Sequence, residues 1–134
     1  MPRSLALVPV LLLVLGAAPL ALADTELDDQ VRLLKEGEPW ERQGAARVLG
    51  GMGERAAPAV DALLAAADDE NEAVRFEALQ ALGRIGPKAS AAVPRLAKGL
   101  EDADAGMRQL CAWALGAVGG EVKQTAFALG AALG

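Results

Sequence analysis

The sequence predicts an all-α solenoid, a stack of antiparallel helix hairpins. Three observations carry that prediction. The segments Ala46–Gly53, Leu79–Gly86 and Ala112–Gly119 read almost alike, and their glycines Gly50, Gly83 and Gly116 are each 33 residues apart. A fixed period between about 20 and 50 residues marks a stacked repeat array. The same offset aligns Arg42, Arg75 and Arg108, then Leu49, Leu82 and Leu115, then Val60, Val93 and Ala126, then Leu63, Leu96 and Leu129. Within each unit, apolar residues recur at helical spacing, and Pro, Gly, Asp and Asn punctuate between them.

The chain opens with Met1-Pro2-Arg3, an apolar run from Leu5 to Leu15, and the small-x-small site Ala21-Leu22-Ala23 before Asp24. These are the three parts of a secretory signal peptide, residues 1–23, cleaved after Ala23. An uncleaved anchor is the alternative, since no charge falls between Leu5 and Ala23. Pro9, Pro19 and the small-residue exit favour cleavage. Export to a periplasmic or extracellular space follows, with no membrane attachment after cleavage.

The remainder, 24–134, divides into a half-repeat at 26–37 and repeats at about 38–70, 71–103 and 104–134. A first helix over Glu26–Glu36 presents Leu27, Val31 and Leu34 on one face, with polar Asp28, Asp29, Arg32 and Lys35 outside, as a capping helix requires. Gly37-Glu38-Pro39 breaks the chain, and Pro39 suits the first turn of helix A1, about Trp40–Gly50. Pro58 opens helix B1, which ends near Ala67. Asp68, Asp69 and Asn71 supply turn and N-cap chemistry for helix A2, Glu72 to about Arg84. Its inward residues are Val74, Ala78, Ala81, Leu82 and Ile85. Ser90 is positioned to cap helix B2, with Val93, Leu96 and Leu100 inward. Helix A3 runs from about Ala105 to Ala117, and B3 from about Val122 to Leu133. Small Ala-rich helices bury modest area each, so a marginal fold is expected, weakest at the last repeat.

The pattern Asp-x-Asp/Asn-x-x-Val-Arg followed by Ala-Leu-x-Ala-Leu-Gly-x-Ile-Gly resembles HEAT repeats, in particular the bacterial HEAT-like kind of the phycobilisome lyases. Asp69–Gly86 is the cleanest copy. Asp102–Gly119 departs at Met107 and Trp113, and the first copy at Glu36, Glu38, Pro39 and Glu41. The resemblance covers roughly residues 27–134 and implies a right-handed solenoid acting by surface recognition. An alternative it also raises is a lyase-like or other cofactor-dependent HEAT-like enzyme, or its subunit.

The residue inventory weighs against that alternative. The chain has no histidine and no tyrosine, and its one cysteine is Cys111. Beyond the leader the only hydroxyl side chains are Thr25, Ser90 and Thr125. A Cys–His nucleophile is impossible, and Cys111 aligns with the small inward residues Ala45 and Ala78. The His-Glu iron motif of HEAT-like deoxyhypusine hydroxylases has no counterpart. Asp68-Asp69-Glu70 offers oxygen ligands to a cation, but turns and helix N-termini explain it better. Nothing beyond the repeat supports a bilin. No catalytic residue, cofactor or metal is expected. The net charge is −5, and all 18 acids follow residue 23. Lys88, Arg95 and Lys98 are the densest basic set. Nucleic acid is therefore not an expected partner, because it requires a basic stripe, unlike the concave face of the HEAT-like alkylpurine DNA glycosylases.

Two constellations remain. Arg42, Arg75 and Arg108 with Asp69 and Asp102 read either as an anion site or as a structural ladder, each Arg bridging the loops of adjacent repeats. The resemblance favours the ladder. The second is the last repeat. Where A2 carries Glu77, Gln80 and Arg84, A3 carries Leu110, Trp113 and Ala117; where B2 carries Pro94, Arg95 and Lys98, B3 carries Phe127, Ala128 and Ala131. A terminal repeat normally keeps a polar outer face. Leu110, Trp113 and Phe127 are therefore candidates for binding a protein partner or a second copy. An array interrupted at this edge, or an end closed by Trp113 and Phe127 folding inward, would account for the same pattern. The leading expectation is an exported, non-enzymatic interaction or scaffold module.

Overall fold

The structure is a computed structural model and describes residues 19–119, with side chains from Thr25 onward. Six α-helices follow in order: α1 Pro19–Glu36, α2 Pro39–Gly51, α3 Val60–Ala66, α4 Glu72–Ile85, α5 Val93–Gly99 and α6 Ala105–Val118. Two 3-10 segments, Gly53–Ala59 and Gly86–Ala92, lead into α3 and α5. Helices α2, α4 and α6 pack in series and form one layer. Helices α1, α3 and α5 form the other, each seated on the first-layer helix that follows it in the chain. Expected helices A1, B1, A2, B2 and A3 are thus α2 to α6. Expected B3, with Phe127 and Leu129, and residues 1–18 of the expected leader lie outside the described residues.

The repeat register is a packing register. Leu49, Leu82 and Leu115 are each fully buried, as are Leu63 and Leu96. Ala45, Ala78 and Cys111 share a third buried position. The core is aliphatic throughout, and among the described residues no polar side chain is buried in it.

The two glycines of each Leu-Gly-x-x-Gly segment do different work. The second of each, Gly53, Gly86 and Gly119, has φ of 59°, 81° and 65°, a backbone that costs an L-residue about 1–2 kcal/mol and lets the chain leave the helix. The first permits close approach of the next unit. A Cβ at Gly50 would lie 3.1 Å from the Cα of Ala81 and 3.2 Å from its Cβ, and one at Gly83 would meet Trp113 and lie 3.1 Å from Ala114 Cβ.

Local chemistry sets the helix starts. Asn71 and Asp104 accept the N–H groups of Ala73 at 2.9 Å and Gly106 at 2.6 Å, capping α4 and α6. Pro39 occupies the first turn of α2, and Glu41 reaches back to accept the Glu38 N–H at 2.8 Å. Three expectations need correction. Helix α1 already runs at Pro19, the first described residue, rather than starting at Glu26, because Leu20, Ala21, Leu22 and Ala23 favour helix. Ser90 caps nothing: it sits inside the second 3-10 segment, whose turns run straight into α5 without a side-chain cap. Pro58 likewise lies in the first 3-10 segment, and α3 starts at Val60.

Candidate interaction surface

The arginines come first because they fix the loops between units. Arg42 donates through Nε to Asp69 Oδ2 at 2.8 Å and through Nη2 to Oδ1 at 3.0 Å, a bidentate pair spanning two repeats. Its Nη1 holds the Gly37 carbonyl at 2.8 Å. Asp69 Oδ1 also accepts the Asn71 N–H at 2.9 Å. Burial by itself would raise the Asp69 carboxyl. The Arg42 bond, the Asn71 N–H and the nearby Arg75 charge outweigh it and hold the group below the usual carboxylate range. The Asp69 bond in turn raises Arg42.

Among the described residues the expected ladder has one rung. Arg75 donates to the carbonyls of Asp69 at 2.8 Å and Glu70 at 3.1 Å, and Arg108 to those of Asp102 at 2.8 Å and Ala103 at 3.0 Å. Among the described residues no ion pair joins Arg75 to Asp102. Asp102 instead accepts the Asp104 N–H at 2.8 Å. What the three arginines share is a bond to carbonyls of their own approach loops, which have no helical donor; Arg42 alone among them adds a bidentate carboxylate. Two ties missed by sequence reasoning supplement the rung. Arg47 pairs with Glu77 at 2.7 Å, and Arg95 of α5 reaches back to Asp68 at 3.0 Å and the Ala67 carbonyl at 3.1 Å.

A cleft of about 420 Å³ lies beside this network, between Leu34, Lys35, Ala62 and the Arg42–Asp69 pair. Its strongest charges, Arg42 and Asp69, are paired with each other, as the ladder reading expects of this pair. A second cleft, about 460 Å³, crosses the first layer between Gln43, Glu72, Phe76, Asp104 and Met107. Cys111 is buried, and burial raises its thiol above the ordinary value, so it stays protonated and shielded. Among the described residues no three acids or thiols converge as metal ligands, and no helix is long and apolar enough to cross a membrane.

The last described helix carries the apolar candidates. Trp113 is 49% exposed. The rest of its ring covers Gly83 of α4: a Cβ there would strike Trp113 Cζ3 and lie 3.0 Å from Cη2. Leu110 is a correction. It was expected to face outward beside Trp113, but it is buried at 8% exposure. Its counterpart Glu77 explains why, since that side chain is itself only 11% exposed. This register faces the preceding helix, and Glu77 is polar there because Arg47 covers it. Phe127 lies outside the described residues.

Sequence reasoning missed three exposed apolar side chains, Trp40, Val48 and Phe76, at 72%, 38% and 39%. Each first-layer helix therefore presents one aromatic to solvent, and none of the three enters the core. Register finds Val48 once α1 is placed in the second layer. Its counterparts Ala81 and Ala114 are buried under the preceding first-layer helix, and α2 has no such helix among the described residues.

The family model for HEAT repeats matches residues 28–116, from within α1 into α6. The chain is a HEAT-repeat protein. No curated protein matches it. Proteins of this repeat generally act by binding other proteins, and the HEAT layers here supply two faces for that: the outer surface of α2, α4 and α6, and the opposite surface of α1, α3 and α5.

Proposed function

We propose that this HEAT-repeat protein is a non-enzymatic interaction module, exported by cleavage after Ala23, that grips a protein partner at its last repeat. The observation that carries the reading is Trp113. It is half-exposed at the outer edge of α6, yet held in place over Gly83. A large aromatic that is fixed before binding loses little side-chain freedom on contact, and tryptophan is over-represented among residues that dominate interface energy. The absence of histidine from the sequence and the burial of its single thiol support a non-enzymatic role. With Leu110 in the core, the contact centres on Trp113 alone among the described candidates.

The test is a photo-crosslinking residue placed at position 113 of the full gene product, expressed in its native host. A discrete protein adduct in the exported fraction, absent when the probe replaces Lys98 on the opposite layer, supports the reading. An unprocessed chain in the cytoplasm, or equal adducts from both positions, overturns it.

A further inference from the structure

The first edge of the solenoid is open in the described residues, and its side chains are complementary to themselves. On α2, Trp40, Gly44, Val48 and Gly51 form one stripe, spaced about a turn apart. The two large members are exposed, and a Cβ at either glycine would meet nothing within 4 Å among the described residues. At the equivalent stripe on α4 and α6, the preceding first-layer helix covers Ala81 and Ala114. Helix α1, in the second layer, shows the same missing neighbour. Leu27 and Leu33 are only partly buried, whereas their counterparts Val60 and Ala66 are buried.

We infer that this edge is a homodimer interface, in which α1 and α2 of one copy pack antiparallel against α1 and α2 of a second. A two-fold axis near Ala46 sets Val48 of each copy opposite Gly44 of the other, and Trp40 opposite Gly51. Each knob then faces a hole, as an isologous contact demands. The same axis brings one pair of opposite charges together, and it also brings each Asp29 near its own copy. Because α1 and α2 run antiparallel through Gly37 and Glu38, an axis near Ala46 crosses α1 near Asp29. That places Arg32 of each copy across from Glu26 of the other. Glu26 is exposed, and Arg32 is 65% exposed, paired with Asp29 at 3.2 Å. This surface lies at the opposite end of the array from Trp113, so the inference goes beyond the proposed function and does not depend on it.

The test is light scattering of the full gene product, expressed and purified without truncation, over a wide concentration range. The expected result is a mass that doubles with concentration. Gly44→Leu fills the hole while favouring helix, so it should leave a folded monomer by circular dichroism. Glu26→Arg should weaken association at least tenfold, and Glu26→Arg with Arg32→Glu should restore it. Trp113→Gln should leave the dimer intact. A monomer at every concentration overturns the inference, whether or not another segment of the chain protects Trp40 from quenching. So does a dimer that survives Gly44→Leu, and a dimer lost only in Trp113→Gln would move self-association to the last repeat.

Discussion

Cys111 of α6 occupies the space that a side chain at Gly99 of α5 would need. A Cβ on Gly99 would collide with the Cys111 Sγ and lie 3.0 Å from its Cβ. One repeat earlier the same two positions hold Ala66 and Ala78. The volume has been traded across the contact, small for large on one side and large for small on the other. Cores tolerate such swaps when total volume is kept.

Gly99→Ala should therefore destabilise the fold by about 1–2 kcal/mol, overpacking outweighing the gain in helix propensity. Adding Cys111→Ala, which recreates the earlier pair, should recover most of the loss. Urea unfolding of the four chains checks this. The two changes should couple by about 1 kcal/mol or more, as contacting residues do. Simple additivity would mean that the two helices do not meet at this point.

Asp69 makes stability depend on acid. Its folded pKa is depressed, so its contribution is fully present above the unfolded value, about 3.9, and is lost as pH falls through the lower folded value. Asp69→Asn should lower the unfolding midpoint by a constant amount from pH 8 to about 5. The gap should close as both proteins are taken below about pH 4. Urea melts across that range test the sign, and a gap that widened in acid would mean the carboxyl is not paired as described.

Much of this fold was legible because each repeat states its core twice. Leu49, Leu82 and Leu115 mark one buried position and Gly53, Gly86 and Gly119 mark the exits, so helix existence and order followed from spacing alone. Exact starts were less legible. The links Gly53–Ala59 and Gly86–Ala92 continue as 3-10 turns, and a run of Ala and Pro does not distinguish that from a loop. The candidate site was half legible. Polarity at Glu77 reads as exposure in the sequence, and that reading carries Leu110 outward with it. A helical wheel does not record that Arg47 on a neighbouring helix covers Glu77. Trp40 and Val48 went unnoticed for the complementary reason: which face of α2 loses its neighbour depends on α1 lying in the second layer.

The burial of Leu110 separates core from surface at the last repeat. Leu110→Ala should cost about 2–3 kcal/mol, in the range for a leucine removed from a packed site. Its neighbour Gln109 is exposed, and Gln109→Ala should change stability by less than about 0.5 kcal/mol. Thermal and urea unfolding give both numbers. A neutral Leu110→Ala would return this residue to the outer surface beside Trp113.

Trp113 and Gly83 are best read as a pair. The half of the indole that covers Gly83 removes roughly 100 Å² of apolar surface from water, worth about 2 kcal/mol. Trp113→Gln should therefore lower stability by about 1–2 kcal/mol without unfolding the domain, since the remaining half already meets solvent. Gly83→Ala pushes a methyl group into the same ring and should cost more in the native chain than in the Trp113→Gln background. Some penalty should persist there, because Ala114 Cβ is 3.1 Å from the new methyl. Fluorescence of Trp113, read in a Trp40→Phe chain that also lacks tyrosine, should shift to the red when Gly83→Ala lifts the ring. An unchanged spectrum with an equal penalty in both backgrounds would detach Trp113 from α4 and remove the rigidity on which its role as a partner-binding anchor rests.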